Sequence, residues 1–150
     1  MIKCGIVGFP LKKPRSIEIW NRYFKEKKIK ASMSAFNFKE KEFKKKILNL
    51  IKNKNLLAFA VTMPYKIKIK KYLDKLNETA KLSKSVNLVI KKKEKLIGFN
   101  TDITGFLKSL SNKIKYNNIV IIGFGGSGSA IFNYIKKKYK NKKIILITSK

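Results

Sequence analysis

Lys66 and Asp102 are the residues best suited to move a proton. Lys66 follows the strand end Val61-Thr62-Met63-Pro64-Tyr65, and Asp102 closes the run Gly98-Phe99-Asn100-Thr101. A lysine held in a cleft near a carboxylate can exchange a proton with a substrate hydroxyl, which carbonyl–alcohol interconversion requires. Spacing alone leaves the ordinary alternatives open. Asp102 can instead cap a helix starting at Ile103, and Lys66 is one lysine among 35, the 37 basic residues less Arg15 and Arg22. The chain has no histidine, which excludes Ser-His-Asp and Cys-His catalysis, His-ligated metals and imidazole switching. Cys4, the single cysteine, can form neither an intrachain disulfide nor a Cys-rich zinc site, so no metal is expected.

A second chemistry lies further along. Ile119-Val120-Ile121-Ile122 runs straight into Gly123-Phe124-Gly125-Gly126-Ser127-Gly128, a G-x-G-x-x-G between a strand and a helix. Gly123 permits the tight turn, Gly125 lets the backbone approach a pyrophosphate, and Gly128 lets the helix pack close to the strand. With Gly126 and Ser127 they open a helix whose free N–H groups and positive dipole end suit phosphate. A glycine-rich turn without a ligand is the alternative. The next strand ends in Thr148-Ser149-Lys150 with no acid. Ser149 and Lys150 therefore lean towards the 2′-phosphate of NADP over the ribose of NAD.

These residues need elements to hold them. Ile2 to Val7 reads as a buried strand ending at Gly8-Phe9-Pro10. Ser16 is placed to cap a helix whose apolar face carries Ile17, Trp20, Tyr23 and Phe24. A strand from Ala31 to Phe36 follows, then a helix presenting Phe43, Ile47, Leu48 and Ile51. Leu56 to Thr62 is a second buried strand, stopped by Pro64. Lys66 to Leu82 reads as helix in one or two pieces. Val86 to Ile90 and Lys95 to Phe99 make a hairpin. Ile103, Phe106, Leu107 and Leu110 mark an amphipathic helix, ended by the polar stretch from Ser111 to Asn118. Strand Asn118–Ile122, helix Gly126–Tyr139 and strand Lys143–Thr148 then complete one βαβ unit. The fold class is α/β, with a complete domain over 1–101 and a partial one over 102–150.

The formal net charge is +29, from 37 Lys+Arg against 8 Asp+Glu. It is spread along nearly every polar stretch and is almost wholly lysine, whereas a dedicated nucleic-acid reader favours arginine for bidentate contacts. Compositional drift in a Lys-, Ile- and Asn-rich chain accounts for it, and the expected nucleic-acid binding is adventitious and salt-sensitive. No apolar run approaches the roughly 20 residues of a membrane span, and Met1-Ile2-Lys3-Cys4-Gly5 has no signal-peptide core. A cytoplasmic protein is the expectation.

Several motifs recur together in the order of one family. Gly8-Phe9-Pro10-Leu11 with Ser16 and Asn21 resembles a substrate-carboxylate loop, G-N-P-I-x-H-S-x-S-P-x-x-H-N. Val61 to Lys66 resembles N-V-T-x-P-x-K, and Ser85-Val86-Asn87-Leu88 resembles A-V-N-T. Gly98 to Asp102 with Gly105 matches G-x-N-T-D-x-x-G, and Gly123 to Ser127 resembles G-A-G-G-A. The whole chain is similar to the N-terminal part of the shikimate dehydrogenase family. That resemblance implies a substrate-binding domain over 1–101, then the first βαβ unit of a Rossmann-type doubly wound domain. It implies NADP-dependent reduction of 3-dehydroshikimate to shikimate in the chorismate route to aromatic amino acids. Lys66 and Asp102 would supply the proton, Asn87 and Asp102 would bind ring hydroxyls, and Ser16 and Thr62 would orient the substrate. Departures stand at Lys13, Pro14, Trp20, Ala60 and Leu88, leaving room for a paralogous quinate or hydroxy-acid dehydrogenase. A non-catalytic basic nucleic-acid module is the third reading. The missing later strands imply an N-terminal fragment with little turnover by itself. Monomer and homodimer both stay open.

Overall fold

In the computed structural model, which describes residues 1–109 and 117–148, the apolar segments of the first hundred residues build one mixed sheet. Strand β1 (Ile2–Gly8) lies between β2 (Ala31–Asn37) and β3 (Leu56–Val61), parallel to both. Parallel neighbours require crossover connections, and helices α1 (Arg15–Glu26) and α2 (Phe43–Ile51) supply them. Strand β5 (Leu88–Lys92) then runs antiparallel to β3 and pairs with β6 (Lys95–Phe99) in a hairpin. Lys93 and Glu94 at its tip both have positive φ, 46° and 61°. Two successive positive φ values give the twist that a two-residue hairpin needs. Strand β4 (Lys75–Leu76) closes the edge, in the order β2-β1-β3-β5-β6-β4.

One core forms where α2 covers this sheet. Val7, Phe59, Val61 and Val89 meet Phe43 and Ile47 with almost no exposed surface. Phe43, Ile47 and Leu50 at i, i+4 and i+7 make the buried stripe, whereas Leu48, expected on that face, is exposed. On α1 only Phe24 is buried. Trp20 and Tyr23 remain 46% and 43% exposed and pack edge-to-face on each other. Asn21 ties this helix to the sheet instead. Its amide donates to the Met33 carbonyl and accepts from the Met33 N–H, at 3.0 and 2.8 Å.

The helix expected over 66–82 is a correction. That segment holds a 3₁₀ turn at Lys68–Tyr72, then β4, then the short helix α3 (Glu78–Ser83). The edge of β6 captures it. Asp74 donates its N–H to the Leu96 carbonyl at 3.0 Å and accepts the Leu96 N–H on its carboxylate at 2.7 Å. Asn77 then caps α3 through the Ala80 N–H, so pairing and capping override the 3.6-residue pattern.

Helix α4 (Thr101–Ser109), β7 (Asn118–Ile122), α5 (Gly126–Lys138) and β8 (Lys143–Ile147) complete the described chain. Leu110 lies outside the described residues, as do positions 111–116 of the polar stretch. β7 and β8 pair in parallel from Asn118↔Lys143 to Ile122↔Ile147. Ile103, Ile121, Ala130, Tyr134 and Ile135 form a second core, against which Leu82 of α3 packs. Val120, Ile122, Ile145 and Ile147, on the opposite side of this small sheet, are exposed. No helix among the described residues is long and apolar enough to cross a membrane.

Candidate active site

Because β5 runs antiparallel to its neighbours, its N-terminal end meets the C-terminal ends of β1, β3 and β6. In open α/β sheets this edge is where ligands are bound. The segments carrying Ser16, Thr62, Lys66, Asn87 and Asp102 leave or enter the sheet here, whereas the glycine turn follows β7 of the second sheet.

Lys66 is positioned by its neighbour. Tyr65 is fully buried, its ring stacked on Phe43 with centroids 4.0 Å apart. Its hydroxyl donates to the Phe38 carbonyl. Burial pushes the phenol pKa up, and the carboxylates of Glu40 and Glu42 add to the rise. With Tyr65 anchored, Lys66 is held by its own carbonyl, which accepts the Val86 N–H at 2.8 Å. Its ammonium then donates to Asp102 Oδ2 at 2.7 Å, with side chains 14% and 31% exposed. A pair this shielded is screened less by salt than a surface salt bridge and is still open to a substrate.

Asp102 does not cap α4. Asn100 does, its Oδ1 accepting the Ile103 N–H at 3.3 Å. The same side chain, itself buried, donates to the Ser85 hydroxyl at 2.7 Å. Asp102 sits in the first helical turn, where a carboxylate interacts favourably with the helix dipole. Asn87 supports it from the other side. Its Nδ2 donates to Asp102 Oδ1 at 2.7 Å and to Thr101 Oγ1 at 2.9 Å, while its Oδ1 accepts the Thr101 N–H at 2.8 Å. Lys66 and Asn87 are therefore both in direct contact with Asp102, one on each carboxylate oxygen.

Ser16 is the second residue of α1, and Pro14 occupies the cap position with no side-chain cap bond. The Ser16 hydroxyl oxygen is buried and has no hydrogen-bond partner among the described residues. Thr62 leaves β3 with its N–H on the Val7 carbonyl, at 2.9 Å. A Cβ at Gly8 would overlap Thr62 Cγ2, so glycine lets the two strand ends close together.

At the glycine turn, Gly123 has φ +91° and its N–H donates to the Ile147 carbonyl at 2.8 Å. A Cβ at Gly128 would strike the Gly123 carbonyl oxygen. Gly125 is the N-cap of α5 and no side chain caps the helix, leaving its first N–H groups for an anionic ligand. Ser127 faces the Lys66–Asp102 pair. Ser149 and Lys150 lie outside the described residues. Sequence reasoning overlooked Asn100 and Tyr65. An asparagine just before a helix is a cap signal that could have revealed Asn100, whereas nothing local marks Tyr65 as an anchor.

The family profile of the shikimate dehydrogenase substrate binding domain matches residues 6–89. A curated relative from Clostridium botulinum (strain Hall), named shikimate dehydrogenase (NADP(+)), is 38% identical over 140 residues, 91% of this chain and 54% of the relative. The crystal structure of shikimate dehydrogenase from Aquifex aeolicus is similar at a TM-score of 0.85 and 31% identity, covering 99% of this chain and 56% of that one. A shikimate dehydrogenase crystallised in complex with NADP+ is similar at 0.82 and 32% identity, covering 98% of this chain and 51% of that one. The chain spans about half the length of the curated relatives it matches.

Proposed function

The chain belongs to the shikimate dehydrogenase family, and from that premise we propose that it serves the NADP-dependent reduction of 3-dehydroshikimate to shikimate. On this reading residues 1–101 form the substrate-binding domain and 102–150 open a Rossmann-type cofactor domain. The observation that carries it is the 2.7 Å contact between Lys66 and Asp102 at the ligand-binding edge of the sheet.

Reduction of a ketone adds a hydride at carbon and a proton at oxygen. The cofactor, when bound, supplies the hydride. Lys66 holds the carbonyl oxygen and gives its Nζ proton to the alkoxide, and solvent then restores that proton. Asp102 keeps the lysine aimed and the new alcohol hydrogen-bonded. Asn87 and Asp102 exchange part of their mutual bonding for ring hydroxyls, while Thr62 lines the same edge. The buried hydroxyl of Ser16 lacks a partner, a state that costs about 1–3 kcal/mol and that a substrate carboxylate would relieve. Lys12, Lys13 and Arg15 add positive charge beside it.

The residues present fit a dinucleotide. The close Gly123–Gly128 approach and the uncapped start of α5 leave room and donors for a diphosphate. Gly123, Gly125, Gly126, Ser127 and Gly128 would hold it, with Ser149 and Lys150 towards a 2′-phosphate. The same reading makes this a cytoplasmic enzyme of aromatic amino-acid biosynthesis.

Calorimetry with shikimate tests the substrate assignment. Micromolar to millimolar binding is expected, weakened about tenfold by Ser16→Ala, the loss of one hydrogen bond to a charged group. No binding by the unaltered chain overturns the assignment. Pro14 favours one second reading, because it puts a residue without a hydroxyl where the family loop has a serine. In a chain of full family length, faster NADPH oxidation with 3-dehydroquinate than with 3-dehydroshikimate would establish a quinate-type substrate instead.

A further inference from the structure

We propose that Ser127 is a positioning residue for the Lys66–Asp102 pair, acting from the glycine turn across the cleft, an inference that rests on Lys66 being the proton donor. Its hydroxyl lies 3.5 Å from Lys66 Nζ and 3.4 Å from Asp102 Oδ2, the oxygen that Lys66 itself contacts at 2.7 Å. A Cβ at Gly126 would stand 3.6 Å from Lys66 Cδ, so the turn also lies over the lysine stem. Ser127 is the second residue of α5, and its hydroxyl is directed at the pair.

The chemistry suits a hydroxyl. It can accept from the ammonium and donate to the carboxylate at once, which alanine cannot do. The positive end of α5 points at this region and by itself favours Asp102 and opposes Lys66. The hydroxyl dipole offsets that bias by giving the ammonium an acceptor on the same side. At 3.4 and 3.5 Å the contacts are long and individually weak. They steer Lys66 without competing with Asp102. Asn87 holds the other carboxylate oxygen at 2.7 Å, so the pair is held from three segments, one of them the glycine turn. Occupation of that turn thereby alters the support of the proton donor.

The test is competitive acetylation with acetic anhydride, read lysine by lysine by mass spectrometry on the whole chain, with shikimate calorimetry in parallel. Ser127→Ala is expected to raise labelling of Lys66 about twofold to fivefold, the weight of one modest hydrogen bond. Lys68 and Lys70 on the same segment should keep their rates, and Ser127→Thr should return Lys66 to its original rate. Unchanged Lys66 labelling in Ser127→Ala, or an equal rise in Ser127→Thr, overturns the proposal. Labelling requires no cofactor and no turnover. Failure of the unaltered chain to bind shikimate would therefore sink the dehydrogenase reading, while the acetylation rates still decide the Ser127 contact.

Discussion

Tyr65 and Lys66 are adjacent and opposed: the first is fully buried, the second reaches into the cleft. The anchoring of the first is what aims the second. In a chain of full family length, Lys66→Ala is expected to lower turnover by about 10²–10⁴-fold, the usual contribution of a positioned acid, and steady-state NADPH oxidation measures it. Near-normal turnover in that variant would remove Lys66 from the mechanism. Tyr65→Phe keeps the stacking on Phe43 and loses the bond to Phe38, at a cost of about 1 kcal/mol in urea unfolding. Tyr65 also makes stability depend on alkaline pH. Its phenol pKa is raised in the folded chain, so its contribution is full below the ordinary value of about 10 and is lost as pH rises through the folded value. Urea midpoints should fall with pH in that window, and Tyr65→Phe should flatten the fall.

Among the elements, α4 shows how a site residue and a structural residue divide the work. Asn100 caps the helix and satisfies Ser85, which frees Asp102 for the cleft. Asn100→Ala removes the cap and leaves buried groups around Ser85 without their donor. A loss of about 2 kcal/mol or more follows from the two effects together, and urea unfolding should show it. Asp102→Asn keeps the Asn100 cap but leaves the shielded Lys66 ammonium without its partner charge, so the urea midpoint should fall as well as turnover in a chain of full family length. The 66–82 segment marks the opposite case. Its apolar spacing reads as helix, yet an exposed β6 edge and the Asp74–Leu96 pair draw it into a strand. Periodicity reports which face is apolar and carries no information about an unpaired neighbour.

For the whole molecule the charge sets the solution behaviour. With 37 basic residues against 8 acidic ones, most lysines have no carboxylate to meet, and self-repulsion works against the compact state. Salt screens it, with a Debye length near 10 Å at about 0.1 M. The urea midpoint should therefore rise as salt is added from low ionic strength. A fall would mean that ion pairs such as Lys68–Glu40 outweigh the repulsion. Binding to duplex DNA should be measurable at low salt and gone at physiological salt. Persistent affinity would revive a nucleic-acid role.

The residue types alone determined a good deal about this protein. The absence of histidine narrowed acid–base chemistry to lysine and carboxylate, and the glycines between Ile122 and Ala130 marked a strand–turn–helix junction. Both conclusions depend on composition or on a few adjacent residues. The tertiary structure decided what the lysine meets. Lys66 and Asp102 are 36 positions apart, and only the reversal of β5 brings the ends of β3 and β6 to one edge. It also decided that Asn100 takes the cap, that Trp20 and Tyr23 stay at the surface, and that Ser127 reaches the pair from the turn. Local rules act within about one helical turn or one hairpin, whereas these contacts depend on which strands pair and in which direction. The +29 and the 150 residues describe the chain; the meeting of three distant segments describes its site.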